Sequence, residues 1–215
     1  GWKGDVAHSL TESSHSRGVC ILFSQNLEYK ILNVHRSVDG RRLLVNLEFG
    51  EQVLTLVNVY APNEEKNRKD FFARLTKWIR EYTLNDENII VAGDFNCCLR
   101  ECDRNPVTHI NDKSRKGLED FLVKLKLHDT WSFLHPTRLG YTFFDKKYNA
   151  KSRLDYIFVA NNFFVSEKSV IIKHAVCADH EAVIATFKII GNKRGKGYWK
   201  LNASLLDDEK YCHEV

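Results

Sequence analysis

Short apolar runs rich in β-branched residues, each bounded by polar or turn-forming residues, recur along the chain and predict strands. Two of them, residues 43–49 and 53–59, are separated only by Gly50-Glu51, which predicts a β-hairpin. The other predicted strands are residues 18–23, 89–92, 154–159, 169–173 and 182–189. This pattern makes β-sheet the main component of the expected fold.

Two segments carry apolar side chains at spacings of three and four residues, the pattern of a helix with one buried face. They predict helices over residues 66–83 and 114–127, the second capped by Ser114. The predicted buried faces are Phe71, Phe72, Leu75, Trp78, Ile79 and Tyr82 in the first helix and Leu118, Phe121, Leu122 and Leu125 in the second. Strand pairs alternating with a few helices predict an α/β domain on antiparallel or mixed sheets rather than a doubly wound parallel sheet.

Composition is that of a globular protein, with 43% hydrophobic and 28% charged residues. A length of 215 residues predicts one domain, since domains average about 150 residues. The 32 Lys and Arg against 28 Asp and Glu give a net charge of +4, which permits a polyanionic partner without requiring one. No apolar run approaches the roughly 20 residues that cross a bilayer, so we expect no membrane partner and an intracellular location.

The two ends of the sequence predict how the chain is divided. Gly191 to Gly197 combines glycine with positive charge and reads as a linker, so residues 1–190 are the expected domain and 191–215 a linker with a partial element. The chain starts at Gly1 and has no methionine, which indicates a piece of a longer polypeptide.

The six cysteines lack the regular spacing of disulfide-rich scaffolds and are expected to be reduced. Zinc binding by Cys98, Cys102 and His109 is disfavoured, because the set lacks the paired spacing of zinc sites.

Polar residues follow the apolar runs at several junctions. Asp94 and Asn96 come directly after the strand 89–92, and alternation along an extended chain would put both side chains on the same side. Taken alone, Gly-Asp-x-Asn is more typical of a turn than of a site. The other junction residues are Tyr60 and Asn63 around Ala61-Pro62, Asp155 two residues after Arg153, and the pair Asp179-His180.

Each of these junctions also has an ordinary structural explanation, such as a strand-to-helix turn, a surface ion pair of Arg153 with Asp155, or a turn with a solvated histidine. Together, however, they supply what phosphodiester cleavage requires. In-line attack on phosphorus needs an acceptor that orients water, donors to the phosphate oxygens, and a divalent metal held by carboxylate. A histidine near neutral pH works best when a carboxylate fixes its tautomer, which Asp155 or Asp179 could do.

The ordered motifs resemble the endonuclease/exonuclease/phosphatase superfamily, which includes deoxyribonuclease I and the abasic-site endonucleases. They are Asn58-Val59-Tyr60-Ala61-Pro62-Asn63, Gly93-Asp94-Phe95-Asn96, Ser152-Arg153-Leu154-Asp155-Tyr156 and Asp179-His180. Within that superfamily the sequence is most similar to the endonuclease domain of LINE-type non-LTR retrotransposons. The residues that indicate this are Ser16-Arg17-Gly18-Val19, Tyr141-Thr142-Phe143-Phe144 and Gly197-Tyr198-Trp199-Lys200-Leu201-Asn202.

The resemblance implies a four-layered α/β sandwich of two mixed or antiparallel sheets flanked by helices, as in deoxyribonuclease I. It implies that Asp94 activates the attacking water and that Asn96 and Tyr60 contact the scissile phosphate or the leaving oxygen. By the same resemblance Asp179 helps to bind Mg²⁺, with Mn²⁺ as an alternative. His180 touches a non-bridging oxygen or accepts the proton, two roles that stay open, while Asp155 holds its imidazole.

Three further residues are implied as substrate contacts, Asn63 and Thr142 on phosphate and, more weakly, Arg153 on the DNA backbone. Phe143 and Phe144 are expected in the core. Relatives carry an upstream strand and a metal-binding Glu that this sequence lacks, so we expect an N-terminally truncated domain without its first strand. Relatives also have Ser where this chain has Ala178, which removes a donor and is expected to weaken activity.

The implied function is a Mg²⁺-dependent endonuclease that nicks DNA, nuclear in location, with a reverse transcriptase domain in the same full-length polypeptide. The alternative is a catalytically inactive retroelement remnant that at most binds nucleic acid non-specifically, an alternative that the missing Glu supports. A third possibility keeps the fold and takes a phosphoinositide or sphingomyelin as substrate.

Overall fold

The computed structural model describes residues 2–11, 18–106, 113–161, 165–175 and 179–189. Its strands are β1 (Val6–Leu10), β2 (Gly18–Leu22), β3 (Lys30–Arg36), β4 (Arg42–Phe49), β5 (Gln52–Tyr60), β6 (Ile89–Asp94), β7 (Arg104–Asn105), β8 (Leu127–Asp129), β9 (Phe143–Asp145), β10 (Ala150–Ser152), β11 (Asp155–Ala160), β12 (Val165–Lys173) and β13 (Ala182–Ile189). Its helices are α1 (Glu65–Tyr82), α2 (Lys113–Leu125) and α3 (Thr130–Leu134), with a 3₁₀ turn at Glu101–Asp103. The predicted linker and partial element at 191–215 lie outside these residues.

A six-stranded sheet in the order β3-β4-β5-β6-β11-β8 is the centre of the fold. Its neighbouring strands are antiparallel except β5 and β6, which run parallel and are joined through α1. A parallel pair needs a long crossover, and a helix packed on the sheet face provides it. The sheet is therefore mixed, as the sequence predicted.

Both faces of this sheet are covered, which is visible in the alternation along β4. Leu44 joins the core under α1 and α2, whereas Leu43 and Val45 join a second core on the opposite face. Because successive side chains of a strand point to opposite faces, all of them are buried only when both faces are packed. The helix-side core contains Phe71, Phe72, Leu75, Ile79, Leu118, Phe121, Val57, Val91 and Phe158.

Two small antiparallel sheets lie on the other face. The pair β1–β2 packs against β4 and β5, and the pair β12–β13 packs against β11 and α3. A third small sheet, β7-β10-β9, projects a hairpin beside the end of β11. The architecture is an α/β sandwich with mixed and antiparallel sheets.

Gly93 lets β6 approach β5 closely at the end where the polar residues collect. Its φ is +139°, and a Cβ at this position would lie 2.0 Å from the carbonyl oxygen of Val59. Only glycine fits both the backbone conformation and this spacing. The parallel pairing therefore continues to Asp94, two residues past the predicted strand end.

The hairpin at Gly50-Glu51 and both long helices are confirmed to within two residues at each end. Ser114 is not a cap, because α2 begins one residue earlier and the buried Ser114 hydroxyl accepts a hydrogen bond from Arg68. The strands β1, β3 and β7 to β10 and the helix α3 were not predicted from the sequence pattern.

Four cysteines within the described residues, Cys20, Cys97, Cys98 and Cys102, are free thiols, as predicted. His109 lies outside those residues, as do the other two cysteines. Across the described segments no helix combines the length and apolar character needed to cross a membrane.

Candidate active site

Three of the predicted site residues form a row across three neighbouring strands. Tyr60 at the end of β5 pairs in register with Asp94 at the end of β6, and Asp94 pairs with Asp155 at the start of β11. Cross-strand partners lie about 5 Å apart on the same face of a sheet. The ladder of the central sheet therefore brings together side chains that are up to 95 positions apart in sequence.

A tight turn after β6 holds Asn96 against Asp94. The backbone N–H of Asn96 donates to Oδ1 of Asp94 at 2.8 Å, and its side-chain Nδ2 donates to Oδ2 at 3.1 Å. Asn96 has a φ of +48°, a conformation that asparagine tolerates better than most residues. The two side chains meet as predicted, but through a turn rather than through the alternation of an extended chain.

His180 is held by Asp155 and by the small sheet beside it. Nδ1 of His180 donates to Oδ2 of Asp155 at 2.7 Å. An antiparallel bridge joins His180 to Phe143, and the two rings pack with their centroids 5.0 Å apart. This hydrogen bond fixes the orientation of the imidazole and leaves Nε2 as the nitrogen that can serve a substrate.

Burial, hydrogen bonding and neighbouring charge raise the pKa of two of these groups. Burial raises the pKa of Asp94 to about 6, and the nearby carboxylate of Asp155 contributes in the same direction. The hydrogen bond to Asp155 raises the pKa of His180, with burial opposing it and the charges of Asp155 and Asp94 adding to it. Such shifts are frequent where acid–base chemistry takes place.

The donor atoms of Asp94, Asp155 and His180 lie within 4.8 Å of one another and could hold a metal ion. Carboxylate oxygens are the ligands that Mg²⁺ and Mn²⁺ prefer, and a cation would relieve the repulsion that raises the pKa of Asp94. The two carboxylates therefore fit a divalent cation. The ring of His180 already serves Asp155, so it is the weaker donor of the three.

Tyr60 and Asn63 stand at the rim opposite these carboxylates. The hydroxyl of Tyr60 donates to Oδ1 of Asn63 at 3.1 Å, and the backbone carbonyl of Asn63 accepts from Nη1 of Arg68 at 2.7 Å. Asn63 is exposed, and Tyr60 is half-buried. Both side chains are open to a ligand in the cleft.

Seven of the nine predicted site residues line one open cleft of about 550 Å³. Its walls are Tyr60, Asn63, Asp94, Asn96, Phe143, Leu154, Asp155, Asp179 and His180. Asp179 is exposed at its edge and is not one of the three residues whose donor atoms cluster. Phe143, expected in the core, is half-buried in this wall, and neither Phe143 nor Leu154 was predicted as a site residue, because both are apolar members of their motifs.

Thr142 does not contact the cleft, which corrects its prediction as a phosphate contact. Its side chain is fully buried, and its hydroxyl oxygen accepts hydrogen bonds from the backbone N–H groups of Leu154 and Asp155 at 3.0 and 3.1 Å. Thr142 therefore fixes the start of β11, where Asp155 begins.

Arg153 is likewise buried, which makes the predicted contact with the DNA backbone wrong. The residue is 1% exposed, and its guanidinium makes two hydrogen bonds to Asp103 and a 2.7 Å ion pair with Asp129. It also lies over the ring of Tyr156, at 4.4 Å from the centroid. The alternative of a surface pair with Asp155 is also wrong, since Asp155 pairs with His180.

Comparisons with known proteins find similarity in both sequence and structure. The curated relative is a 149 kDa protein of the transposon TX1 from Xenopus laevis, to which the chain is 31% identical over its whole length. The chain spans only 16% of that relative.

The solved structures share the fold. The endonuclease domain of TRAS1, a telomere-specific non-LTR retrotransposon, superposes with a TM-score of 0.64 at 16% identity, over 86% of this chain and 79% of that one. A 3′–5′ exonuclease from Neisseria meningitidis superposes with a TM-score of 0.60 at 23% identity, over 80% of this chain and 75% of that one. Residues 3–180 match the family described as endonuclease/exonuclease/phosphatase. The chain belongs to the endonuclease/exonuclease/phosphatase family.

Proposed function

We propose that the chain is a divalent-metal-dependent endonuclease that nicks DNA, derived from an open reading frame of a non-LTR retrotransposon. The observation that carries the proposal is the cluster of Asp94, Asp155 and His180 in one cleft with Tyr60 and Asn96. The similarity to the transposon protein and to the retrotransposon endonuclease domain supports DNA as the substrate.

In this proposal Asp94 orients the attacking water and accepts its proton. In the metal-free protein the pKa of Asp94 is raised to about 6, so its carboxylate is ionised at neutral pH, and a cation held beside it would favour the ionised form further. The water oxygen bonds to phosphorus, and the P–O3′ bond breaks with its electron pair on O3′, which takes a proton from solvent water to become the 3′-hydroxyl. Asn96 holds the Asp94 carboxylate through two hydrogen bonds, so little reorientation is needed when the substrate arrives.

His180 contacts a non-bridging phosphate oxygen through Nε2. Its raised pKa favours the protonated imidazolium, which places positive charge beside the phosphate. Asp155 holds the ring by its 2.7 Å hydrogen bond and so fixes the direction of Nε2. The exposed carboxylate of Asp179, which also lines the cleft, would be a further ligand for the metal.

Tyr60 and Asn63 lie where they can hydrogen-bond the leaving oxygen and the adjacent phosphate. Asp94 and Asp155 would hold Mg²⁺, or Mn²⁺ in its place. When bound, the ion neutralises charge that develops on the phosphate and leaving oxygens.

The relative's much greater length supports a larger polypeptide, and we place this chain in one that also contains a reverse transcriptase domain. In it, residues 1–190 form the endonuclease domain and 191–215 a basic connection. The nick then supplies the primer 3′-hydroxyl, and the protein acts in the nucleus.

A plasmid-nicking assay tests this function. Supercoiled DNA is incubated with Mg²⁺ and with wild type, His180→Ala, Asp155→Asn, or the surface control Lys116→Gln. We expect His180→Ala and Asp155→Asn to lower nicking by about 100-fold or more, EDTA to abolish it, and the control to match wild type. Equal nicking by wild type and His180→Ala would contradict the proposal.

DNA binding without cleavage would favour the inactive-remnant alternative. Its signature is binding that weakens steeply as salt rises, with closed circles unchanged at any Mg²⁺ or Mn²⁺ concentration. Phosphate release from phosphoinositide in place of nicking would favour the lipid substrate.

A further inference from the structure

Arg41, just after the turn between β3 and β4, packs on the tyrosine of the cleft. Its Cζ lies 5.0 Å from the centroid of the Tyr60 ring, and the backbone N–H of Tyr60 donates to the carbonyl of Arg41 at 2.9 Å. One guanidinium nitrogen, Nη1, donates to the carbonyl oxygens of Tyr60 and Ala61, at 3.1 and 3.2 Å. The side chain of Arg41 therefore contacts the ring of Tyr60 and the backbone carbonyl groups of Tyr60 and Ala61.

The carbonyl of Ala61 connects Arg41 to the other wall of the cleft. Nδ2 of Asn96 donates to this carbonyl at 3.0 Å and to Oδ2 of Asp94 at 3.1 Å. The same oxygen thus accepts from Arg41 on one side and from Asn96 on the other. A continuous set of hydrogen bonds runs from Arg41 through Ala61 and Asn96 to the carboxylate of Asp94.

The chemistry of these contacts suits a guanidinium specifically. A guanidinium is flat, so it can lie over a ring face while its N–H groups donate in its own plane to two carbonyl oxygens. A lysine ammonium is a point charge that can serve one carbonyl but cannot stack in the same way. In the sequence, neither the turn before Arg41 nor the strand after it indicates that Arg41 is a site residue.

We propose that Arg41 is a positioning residue of the cleft, which fixes Tyr60 and, through the Ala61 carbonyl, the amide of Asn96 relative to Asp94. This inference rests on the proposed nuclease function. Arg41 touches no reacting atom in this scheme. Its effect is on the geometry that Tyr60 and Asn96 present to the phosphate.

Arg42 provides a matched control one residue along the chain. Its guanidinium also lies over aromatic rings, 5.8 Å from the centroid of Phe71 and 5.4 Å from that of Trp78, but these belong to α1. It forms an ion pair of 3.7 Å with Asp39 and lines no wall of the cleft. Replacing Arg42 therefore removes a similar side chain whose described contacts do not include Tyr60, Asn96 or Asp94.

The kinetic experiment compares Arg41→Ala and Arg41→Lys with Arg42→Ala and Arg42→Lys in the nicking assay. We expect both Arg41 variants to lower kcat by about 10- to 100-fold, as small misplacements do, with KM for DNA changed less than about 2-fold. Millimolar guanidinium is expected to restore several-fold of the kcat of Arg41→Ala and none in His180→Ala. Both Arg42 variants are expected to keep kcat within about 2-fold while losing thermal stability.

A loss confined to KM, an equal kcat loss in the Arg42 variants, or no response to guanidinium would overturn the proposal. A second readout does not need activity, so it separates this inference from the nuclease function. In ¹⁵N NMR spectra the side-chain amide of Asn96 should shift in Arg41→Lys and stay in place in Arg42→Lys. If wild type does not nick DNA, this spectrum alone decides, and an unmoved Asn96 amide overturns the role of Arg41.

Discussion

Asp94 and Asp155 are cross-strand neighbours at the ends of β6 and β11, and Asp155 accepts a hydrogen bond from the imidazole of His180. Folding moves Asp94 out of water and next to a like charge, and both effects favour its protonated form. The native state therefore binds a proton at this residue more tightly than the unfolded chain does. The contribution of Asp94 to the free energy of unfolding therefore depends on pH.

Asp94→Asn is expected to stabilise the metal-free protein at pH 7 by about 1–3 kcal/mol in free energy of unfolding. The folded pKa of Asp94, about 6, lies above its ordinary value of 3.8. Its favourable contribution is thus complete below pH 3.8 and is lost as pH rises through 6. Asparagine keeps the acceptor for the Asn96 N–H without the charge.

Urea unfolding in EDTA between pH 4 and pH 8 measures this effect. The difference between the variant and wild type should be small at pH 4, grow up to about pH 7, and then level off. Asp120→Asn, on the surface of α2, should stay within about 0.5 kcal/mol of wild type. A variant less stable than wild type at pH 7 would contradict the assignment.

Residue types at the motif positions predicted most of the cleft, but burial decided which of them face it. Asp94 and Asn96 lie where β6 ends and His180 lies just before β13, at strand boundaries where side chains converge, and they meet as expected. Thr142 and Arg153 lie in equally typical motifs, yet tertiary packing encloses both. A single sequence shows the order of such residues along the chain, but it does not show which of their side chains are buried.

Among the elements, the start of β11 is held by the ion pairs of Arg153 with two other parts of the chain. Arg153, two positions before Asp155, joins the 3₁₀ turn at Asp103 to the N-cap of α3 at Asp129. The side chains of Asp103 and Asp129 are at most 4% exposed. Removing the cation would leave two buried carboxylates: Asp103 would keep its ion pair with Arg100, and Asp129 would keep only the neutral donors Trp131 N–H and the Ser132 hydroxyl among the contacts described.

Arg153→Met is therefore expected to lower the free energy of unfolding by about 3–5 kcal/mol, because it leaves buried charge uncompensated. Denaturant unfolding at neutral pH measures the loss. Lys116→Met removes an exposed ion pair with Asp120 and should cost less than about 0.5 kcal/mol. A loss below 1 kcal/mol for Arg153→Met would show that the buried cluster does not support the strand.

Elements with strong periodicity were predictable, and those defined by pairing were not. The helix α1 and the β4–β5 hairpin carry their own patterns and turn residues. The strands β7 to β10 are two or three residues long and exist because a neighbour pairs with them. Short strands have no periodicity of their own, so the hairpin that bears Phe143 was missed.

For the whole molecule, a metal held by the carboxylate pair would link ligand binding to global stability. A ligand at 100 times its Kd adds about 2.7 kcal/mol to the free energy of unfolding. We expect Mg²⁺ or Mn²⁺ to raise the thermal unfolding midpoint of wild type, and this rise to disappear in Asp155→Asn.

Lys116→Gln should respond to the metal as wild type does. Calorimetric scans over a metal titration give the midpoints, with Ca²⁺ and NaCl of equal ionic strength as references. An identical rise in wild type and Asp155→Asn would place the ion elsewhere.

Sheet order belongs to this largest scale and could be predicted only through the family resemblance. Nothing in the local pattern places β11, which is far along the chain, beside β6. Contacts between distant segments depend on which apolar faces pack together, and many arrangements satisfy one pattern.

The alignment of Tyr60, Asp94 and Asp155 across β5, β6 and β11 makes the chemistry sensitive to length rather than to composition. Inserting or deleting one residue inside any of these strands would turn the side chain at the end of that strand to the opposite face of the sheet. The cleft would then lose that side chain even where every residue type is kept. Loop tips such as the one at Gly50 lie away from that alignment and can change in length freely. For the proposed nuclease, one-residue insertions inside these strands should therefore abolish nicking, whereas insertions at such loop tips should leave nicking unchanged.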